Sequence, residues 1–144
     1  MHVGIDCIEG TSWIYRYLPV TSWAKMKWNP YAAKCPTRQL LDRITDKWVV
    51  LVLSLLERGP KRFSVLKREI DGISQKMLSQ TLRALEQDGL LTRRAFPTVP
   101  VTVEYELTAL GQSLNRALAP MIDWAVANMN RVLKTREQHK SAPR

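Results

Sequence analysis

The chain is poor in the residues that catalysis and metal binding require. It has two histidines among 144 residues, His2 and His139, and both lie near the chain ends, where neither pairs credibly with a cysteine nucleophile. Cys7 and Cys35 are isolated from each other and from any histidine at the spacing of metal ligands. The six glycines form no phosphate-binding loop. We therefore expect no enzyme activity, no metal and no cofactor.

Long hydrophobic runs and a cysteine framework are also missing. No apolar run reaches the ~18 residues that span a bilayer. The longest run, Trp48 to Leu56, is interrupted by Ser54 and predicts a buried helix. Nothing resembles a cleavable signal peptide, and two cysteines make no disulfide framework. We expect a cytoplasmic protein without a membrane partner.

Acidic residues are outnumbered by basic ones. There are 22 lysines and arginines against 13 aspartates and glutamates, which gives a formal net charge of +9. This excess is typical of a protein that binds a polyanion, although membranes and acidic proteins attract basic chains as well. The length of 144 residues and the apolar content of 45% predict one compact domain.

A helix with an unusual polar face is predicted from about Gln75 to Asp88. Ser74 precedes it as a candidate N-cap, and Gly89 follows where a helix ends in a left-handed residue. Leucines at steps of four and three form its buried face: Leu78, Leu82 and Leu85. The opposite face carries amide, hydroxyl and cationic side chains: Gln75, Lys76, Ser79, Gln80 and Arg83. Such side chains reach base edges and phosphates in a major groove, although any solvated helix face is polar.

A shorter helix is predicted just before this one. Apolar residues recur in Phe63–Ile70, and Asp71–Ile73 follows as a tight turn in which Gly72 lets the chain reverse. Two helices joined by a short turn that contains glycine are typical of a helix-turn-helix, here at about residues 63–88. Lys61 and Lys67 are candidates for additional contacts with a DNA backbone.

Two strands are predicted after the helix-turn-helix. They are Leu90–Phe96 and Val101–Leu107, and a loop with two prolines joins them. This hairpin, at about residues 90–107, would form a wing and hold Arg93 and Arg94 near a duplex backbone. The fold class is therefore mainly α (α+β), a winged helix-turn-helix with a two-stranded wing.

Two helices are predicted before the helix-turn-helix. The first is capped by Thr37 and runs to Ile44. The second is apolar, is capped by Asp46, and runs from Lys47 to Arg58, where Gly59 stops it.

The two ends of the chain are less regular. Residues 1–28 lack a clean periodicity and are set apart as an N-terminal extension. Met26 is a second candidate for the initiator, so the sequence leaves open whether residues 1–25 belong to the natural protein. Residues 135–144 are predicted to be a basic, disordered tail.

Residues 108–134 carry a long apolar stripe. Thr108 is the expected cap of this segment, and Pro120 is predicted to break it into two helices. The stripe comprises Leu114, Leu118, Met121, Ile122, Ala125, Met129, Val132 and Leu133. It either folds back on the chain's own core or pairs with a second copy. We favour a homodimer, which would present two recognition helices to half-sites about one helical turn apart.

Several runs of this sequence occur together in one known family. They are Cys35-Pro36, Leu41-Asp42-Arg43-Ile44, Asp46-Lys47-Trp48, Arg62-Phe63, the run from Ile73 to Leu90, and Val103-Glu104-Tyr105. Over about residues 29–128 they resemble the HxlR-type family of bacterial transcription regulators. The resemblance implies a winged-helix homodimer without enzyme activity, which binds a palindromic operator and dimerises through its terminal helices. Residues 29–134 are accordingly assigned to the regulator domain, with C-terminal dimerisation helices at about residues 108–134.

The sequence departs from the pattern of that family in two places. Thr102 stands in the second wing strand where the family commonly has an arginine. A phosphate contact of the wing is therefore expected to be missing, or to be supplied by Arg93 or Arg94. Residues 1–25 have no counterpart in the usual architecture of the family.

Cys35 is the candidate sensor of electrophiles or oxidants. It follows Lys34, is close to Arg38 in the sequence and precedes a predicted helix, and such surroundings favour the reactive thiolate. The resemblance implies that some family members sense through a cysteine just before the first helix. The alternative is a small, partly buried apolar residue at the start of a helix.

Together these observations predict a sequence-specific regulator, a repressor that binds a double-stranded DNA operator as a homodimer. Base reading is assigned to Gln75, Lys76, Ser79 and Gln80, and phosphate contact to Arg83. One alternative is a winged-helix module that binds an acidic protein. Another is a DNA-binding regulator whose effector is a small apolar molecule, held between the terminal helices around Trp48 and Trp124. Plain core packing is the competing interpretation of these two tryptophans.

Overall fold

This protein is mainly helical and contains a small antiparallel sheet. The computed structural model describes residues 27–141, so the expectations for residues 1–26 lie outside the described residues. The described elements are α1 (Pro36–Ile44), α2 (Lys47–Leu56), β1 (Lys61–Arg62), α3 (Phe63–Glu69), α4 (Gln75–Gln87), β2 (Leu91–Phe96), β3 (Thr102–Leu107) and α5 (Ala109–Ser141). The chain divides into two compact units between Arg43 and Ile44. The predicted class, mainly helical with a winged helix-turn-helix, is confirmed.

Three helices begin at the caps that the sequence predicts, among them α5 at Thr108, whose hydroxyl accepts a hydrogen bond of 3.0 Å from the N–H of Gly111. The side chain of Asp46 accepts a hydrogen bond of 2.8 Å from the backbone N–H of Trp48 at the start of α2. The hydroxyl of Ser74 accepts one of 3.0 Å from the N–H of Met77 at the start of α4. Each bond satisfies a backbone donor that has no partner within the helix.

Two predicted helix boundaries are wrong. α1 begins at Pro36, so Thr37 lies inside the first turn and is not the cap. Proline suits this position because the first helical residue needs no N–H donor. α2 ends at Leu56 and not at Arg58, and Gly59 follows with a left-handed φ of +121°.

The sheet contains the predicted wing and a further strand. β2 and β3 pair antiparallel from Leu91↔Leu107 at the base to Phe96↔Thr102 at the tip. The described sheet has the order β1-β3-β2, so the prediction of two strands was incomplete. β1 is only two residues long, too short for the alternation that identifies a strand in a sequence.

A hydrophobic core holds α2, α3, α4, the base of the sheet and the first half of α5 together. Its most buried side chains are Val52, Leu53, Leu56, Leu66, Ile73, Leu78, Leu82, Leu85 and Leu91. From α5, Leu118 is buried in this core, while Leu114 and Ile122 are half-buried against it. This packing positions α4 and the wing relative to each other.

α5 corrects two predictions. It is one continuous helix, so Pro120 does not divide it, and residues 135–141 are helical where a disordered tail was expected. Proline removes one helical hydrogen bond, but Leu118 and Ile122 pack on the core on either side of it and hold the helix. At the far end, His139 and Lys140 lie in the last turn, where cationic side chains complement the helix dipole.

Candidate nucleic-acid interface

The helix-turn-helix presents one face of α4 to solvent. Gly72 in the turn has a φ of +78°, which glycine adopts without strain, and it lets α4 follow closely on α3. Ile73 is buried at the start of α4, and three leucines hold the helix on the core. The predicted DNA-binding side chains on the opposite face are all exposed: Gln75, Lys76, Ser79, Gln80 and Arg83.

The exposed face of α4 extends further than the sequence assignment. At 3.6 residues per turn, Lys76, Gln80, Arg83 and Gln87 follow one line along the helix, and Gln87 is exposed too. A further step of four from Arg83 would have identified it. No acidic residue lies in the first turn of α4, and Glu86 is the acidic residue of this helix. The N-terminal half of α4 is therefore the part suited to an anion.

The two candidate arginines of the wing lie on opposite faces of the sheet. Arg93 is in register with the buried Tyr105, and Arg94 is in register with Glu104. Residues directly opposite each other in a sheet project to the same face. Arg93 therefore lies on the core-facing side, beyond the edge of the core, where it is exposed.

The other face of the sheet carries paired charges. The Nη2 atom of Arg94 lies 3.4 Å from a carboxylate oxygen of Glu106, and Nε of Arg62 donates a 3.3 Å hydrogen bond to Glu104. We call Arg62, Glu104, Arg94 and Glu106 the outer ladder. Sequence reasoning missed Arg62, since its place beside Glu104 depends on the pairing of β1 with β3.

The remaining predicted cations of the site differ in their burial and in whether they form an ion pair. The ammonium of Lys61 lies 3.2 Å from a carboxylate oxygen of Glu69, and its side chain is mostly buried. Lys67 is half-buried on α3. Thr102 stands where the resemblance leads us to expect an arginine. Its hydroxyl accepts a 2.9 Å hydrogen bond from the hydroxyl of Thr98 in the wing loop. Arg93 is the wing cation for which no ion pair exists among residues 27–141.

Cys35 lies immediately before α1, as predicted. Its side chain is 7% exposed, and it is a free thiol. Its N–H donates to the carbonyl of Ala32, and its carbonyl accepts from the N–H of Arg38, each at 3.0 Å. Cys35 is therefore fixed at a turn that continues directly into the helix.

The two tryptophans of the proposed effector pocket have different surroundings. Trp48 is half-buried against the core, and the ammonium of Lys47 lies 4.4 Å from the centre of its ring. Trp124 is 64% exposed and lines an open depression built from α5 residues: Asn128, Arg131, Val132, Thr135 and Arg136. Trp48 does not line this depression.

Within residues 27–141, no group of three or more His, Cys, Asp or Glu side chains is arranged to hold a metal ion. In the same part of the chain, no helix is both long and apolar enough to cross a membrane.

A helix-turn-helix followed by a hairpin that pairs with a short strand defines a winged helix-turn-helix protein. Residues 43–133 match the family described as HxlR-like helix-turn-helix. The chain belongs to this family, and its named relatives are transcriptional regulators.

The relatives match most of this chain. The uncharacterized HTH-type transcriptional regulator YtfH of Escherichia coli (strain K12) is 47% identical over 110 residues, which are 76% of this chain and 87% of YtfH. The solved structure of ytfH from Salmonella typhimurium has a TM-score of 0.74 at 46% identity, covering 77% of this chain and 99% of that one. The redox regulator HypR in its reduced form has a TM-score of 0.62 at 36% identity, covering 69% and 98%.

Proposed function

We propose that this protein regulates transcription as a homodimer that binds a palindromic double-stranded DNA operator and represses from it. The observation that carries the proposal is the exposed face of α4. This face combines amide and cationic side chains and has no acidic residue in its first three turns. It is exposed to solvent because the leucines on the opposite face of α4 are buried. Side chains of these types recognise base edges and phosphates in a major groove.

The contacts divide by their chemistry. Gln75, Lys76, Ser79 and Gln80 belong to the N-terminal turns of α4, which in a helix-turn-helix enter the groove and reach the bases. Arg83 lies farther along the helix and suits a phosphate. Arg93 is assigned a sequence-independent contact with the backbone or the minor groove, since it is exposed and lacks an ion pair in the described part of the chain.

Two substitutions distinguish the contribution of α4 to DNA binding from that of the wing. Bound fragments are first selected from random duplexes, which supplies an operator. Lys76→Ala should weaken binding to this operator more than to random DNA. Arg93→Ala should weaken binding to both alike and lower the slope of log K against log salt by about 0.9 per contact. Equal losses on both kinds of DNA for both variants would defeat this division of roles. An absence of salt-dependent binding to random duplex would instead favour a module that binds an acidic protein.

The proposed dimer is supported by the apolar stripe of α5. Beyond Ile122 the stripe no longer lies on the core, and Met129 and Leu133 are 42% and 45% exposed. Large apolar side chains in a row on one helix face are typical of an interface. Met129→Asp should therefore produce monomers in sedimentation velocity experiments. Ala127→Asp places the same charge on the opposite side of the helix and should leave the dimer intact. Dimers in both variants would contradict this assignment.

We further propose that Cys35 senses electrophiles. Its position directly before α1 supports this, because a group attached to a sulfur that is 7% exposed would displace the turn that leads into the helix. HypR, whose structures represent oxidised and reduced forms, and YodB of B. subtilis, whose structures represent diamide-treated and reduced forms, belong to the similar structures. The thiolate sulfur attacks the methylene carbon of iodoacetamide, so that a carbon–sulfur bond forms and iodide leaves. This reaction should abolish operator binding in the wild type and in Cys7→Ser, but not in Cys35→Ser. Equal loss in all three proteins would contradict the proposal.

A further inference from the structure

The outer ladder joins the two arginines of one sheet face to two glutamates. Arg62 and Glu104 face each other across β1 and β3, and Arg94 of β2 pairs with Glu106 of β3. Glu104 is also in register with Arg94, so the four charges alternate across the three strands. With two positive and two negative charges, this face of the wing is electrically balanced.

The balance of charge on the outer face distinguishes it from the opposite face of the wing, which carries Arg93. The side chain of Arg94 is 69% exposed and that of Glu106 is 39% exposed, so the pair is accessible to another anion. Carboxylate and phosphate oxygens both accept hydrogen bonds from a guanidinium. A phosphate that contacts Arg94 therefore has to compete with Glu106, whereas a phosphate that contacts Arg93 does not.

We propose that Glu104 and Glu106 limit the affinity of the wing for DNA by holding Arg62 and Arg94 in ion pairs that a phosphate has to displace. The inference rests on the proposed DNA-binding function. A chain with a formal charge of +9 attracts any duplex, and phosphate contacts carry no sequence information. The outer ladder reduces this sequence-independent attraction, so a larger part of the affinity depends on the side chains of α4.

The test measures binding of the full chain to a short mixed-sequence duplex at ionic strengths between about 50 and 200 mM. Glu106→Gln keeps the shape of the side chain and removes its charge. Because an exposed ion pair is worth at most about 1 kcal/mol, the variant should bind up to about fivefold more tightly at low salt. The slope of log K against log salt should steepen by about 0.9 for each arginine that becomes available.

Two controls separate release of Arg94 from a general change in charge. In an Arg94→Ala background, Glu106→Gln should give no comparable gain, because the arginine on which it acts is absent. Asp123→Asn makes the same change in charge on α5, away from the sheet, and should give a smaller gain than Glu106→Gln. The pair Glu104→Gln and Arg62→Ala repeats the design with the other half of the ladder.

The outcomes are distinct. If Glu106→Gln and Glu104→Gln bind no more tightly than Asp123→Asn, or if their gains persist without Arg94 and Arg62, the inference is wrong while DNA binding stands. If the wild type fails to bind the duplex even at low salt, the proposed function is wrong, and the inference falls with it.

Discussion

Gly111→Ala should destabilise the protein, although the same change stabilises most helices. Gly111 lies in the first turn of α5, and a Cβ atom there would overlap the carbonyl oxygen of Leu90. It would also lie 2.9 Å from the carbonyl carbon of Leu90 and 3.3 Å from Cδ2 of Leu107. The Leu90 oxygen has little freedom to move, because it already accepts a 3.1 Å hydrogen bond from the N–H of Thr108.

The expected magnitude follows from two opposing effects. Replacing glycine by alanine inside a helix stabilises it by about 1 kcal/mol. Overpacking costs about 1–3 kcal/mol, and a clash with fixed backbone belongs at the upper end of that range. The net loss should be about 2 kcal/mol. At roughly 4 °C per kcal/mol for a domain of this size, the melting temperature should fall by about 8 °C.

The assay is thermal and urea denaturation at one fixed protein concentration, because dissociation of a dimer makes the melting temperature depend on concentration. Gln112→Ala is the matched control, since Gln112 is exposed in the same turn and should change the stability little. A Gly111→Ala protein that melts at the wild-type temperature or above would refute the reasoning. It would mean that α5 can move away from the base of the wing at no cost.

Three further changes test the packing and the caps, each by urea denaturation. Leu53→Ala should lower the free energy of unfolding by about 2–5 kcal/mol because the side chain is fully buried. Leu51→Ala should lower it by about 1 kcal/mol or less because Leu51 is 41% exposed. Equal losses in the two variants would be inconsistent with the described core. Ser74→Ala should cost about 1 kcal/mol through loss of its bond to the N–H of Met77, and an unchanged stability would show that the cap contributes nothing. Gly89→Ala should cost about 1–2 kcal/mol because its φ is +71°, and Gly89→Asn should lose less; the opposite order would argue against the left-handed conformation.

The sequence predicted α4 well because the residues that define this helix lie in it or directly beside it. The spacing of Leu78, Leu82 and Leu85 defines its buried face, and Ser74 and Gly89 mark its ends. Strand β1 was not predictable in this way. Its two residues form a strand only because β3 lies beside them, and that depends on contacts between residues far apart in the sequence.

The candidate site shows the same division. Exposure of the polar face of α4 follows from helical periodicity. Alternation along β2 separates Arg93 from Arg94, but the sequence does not reveal that Arg94 pairs with Glu106 on the neighbouring strand. Pro120 was misjudged because a rule about isolated helices was applied to one whose flanking turns pack on a core.

Pro120 lies two residues before Ile122, the last side chain of α5 that packs on the core, and this position has a mechanical consequence. Its missing N–H deprives the carbonyl of Arg116 of its helical partner, so bending stiffness is lowest at this point. The helix continues for about 30 Å beyond it, and a bend of about 10° there would displace the far end by about 5 Å. In the proposed dimer, bending of α5 would thus be concentrated in the turn around Pro120. The dimer could then adjust to small changes in the shape of the operator without distortion of α4.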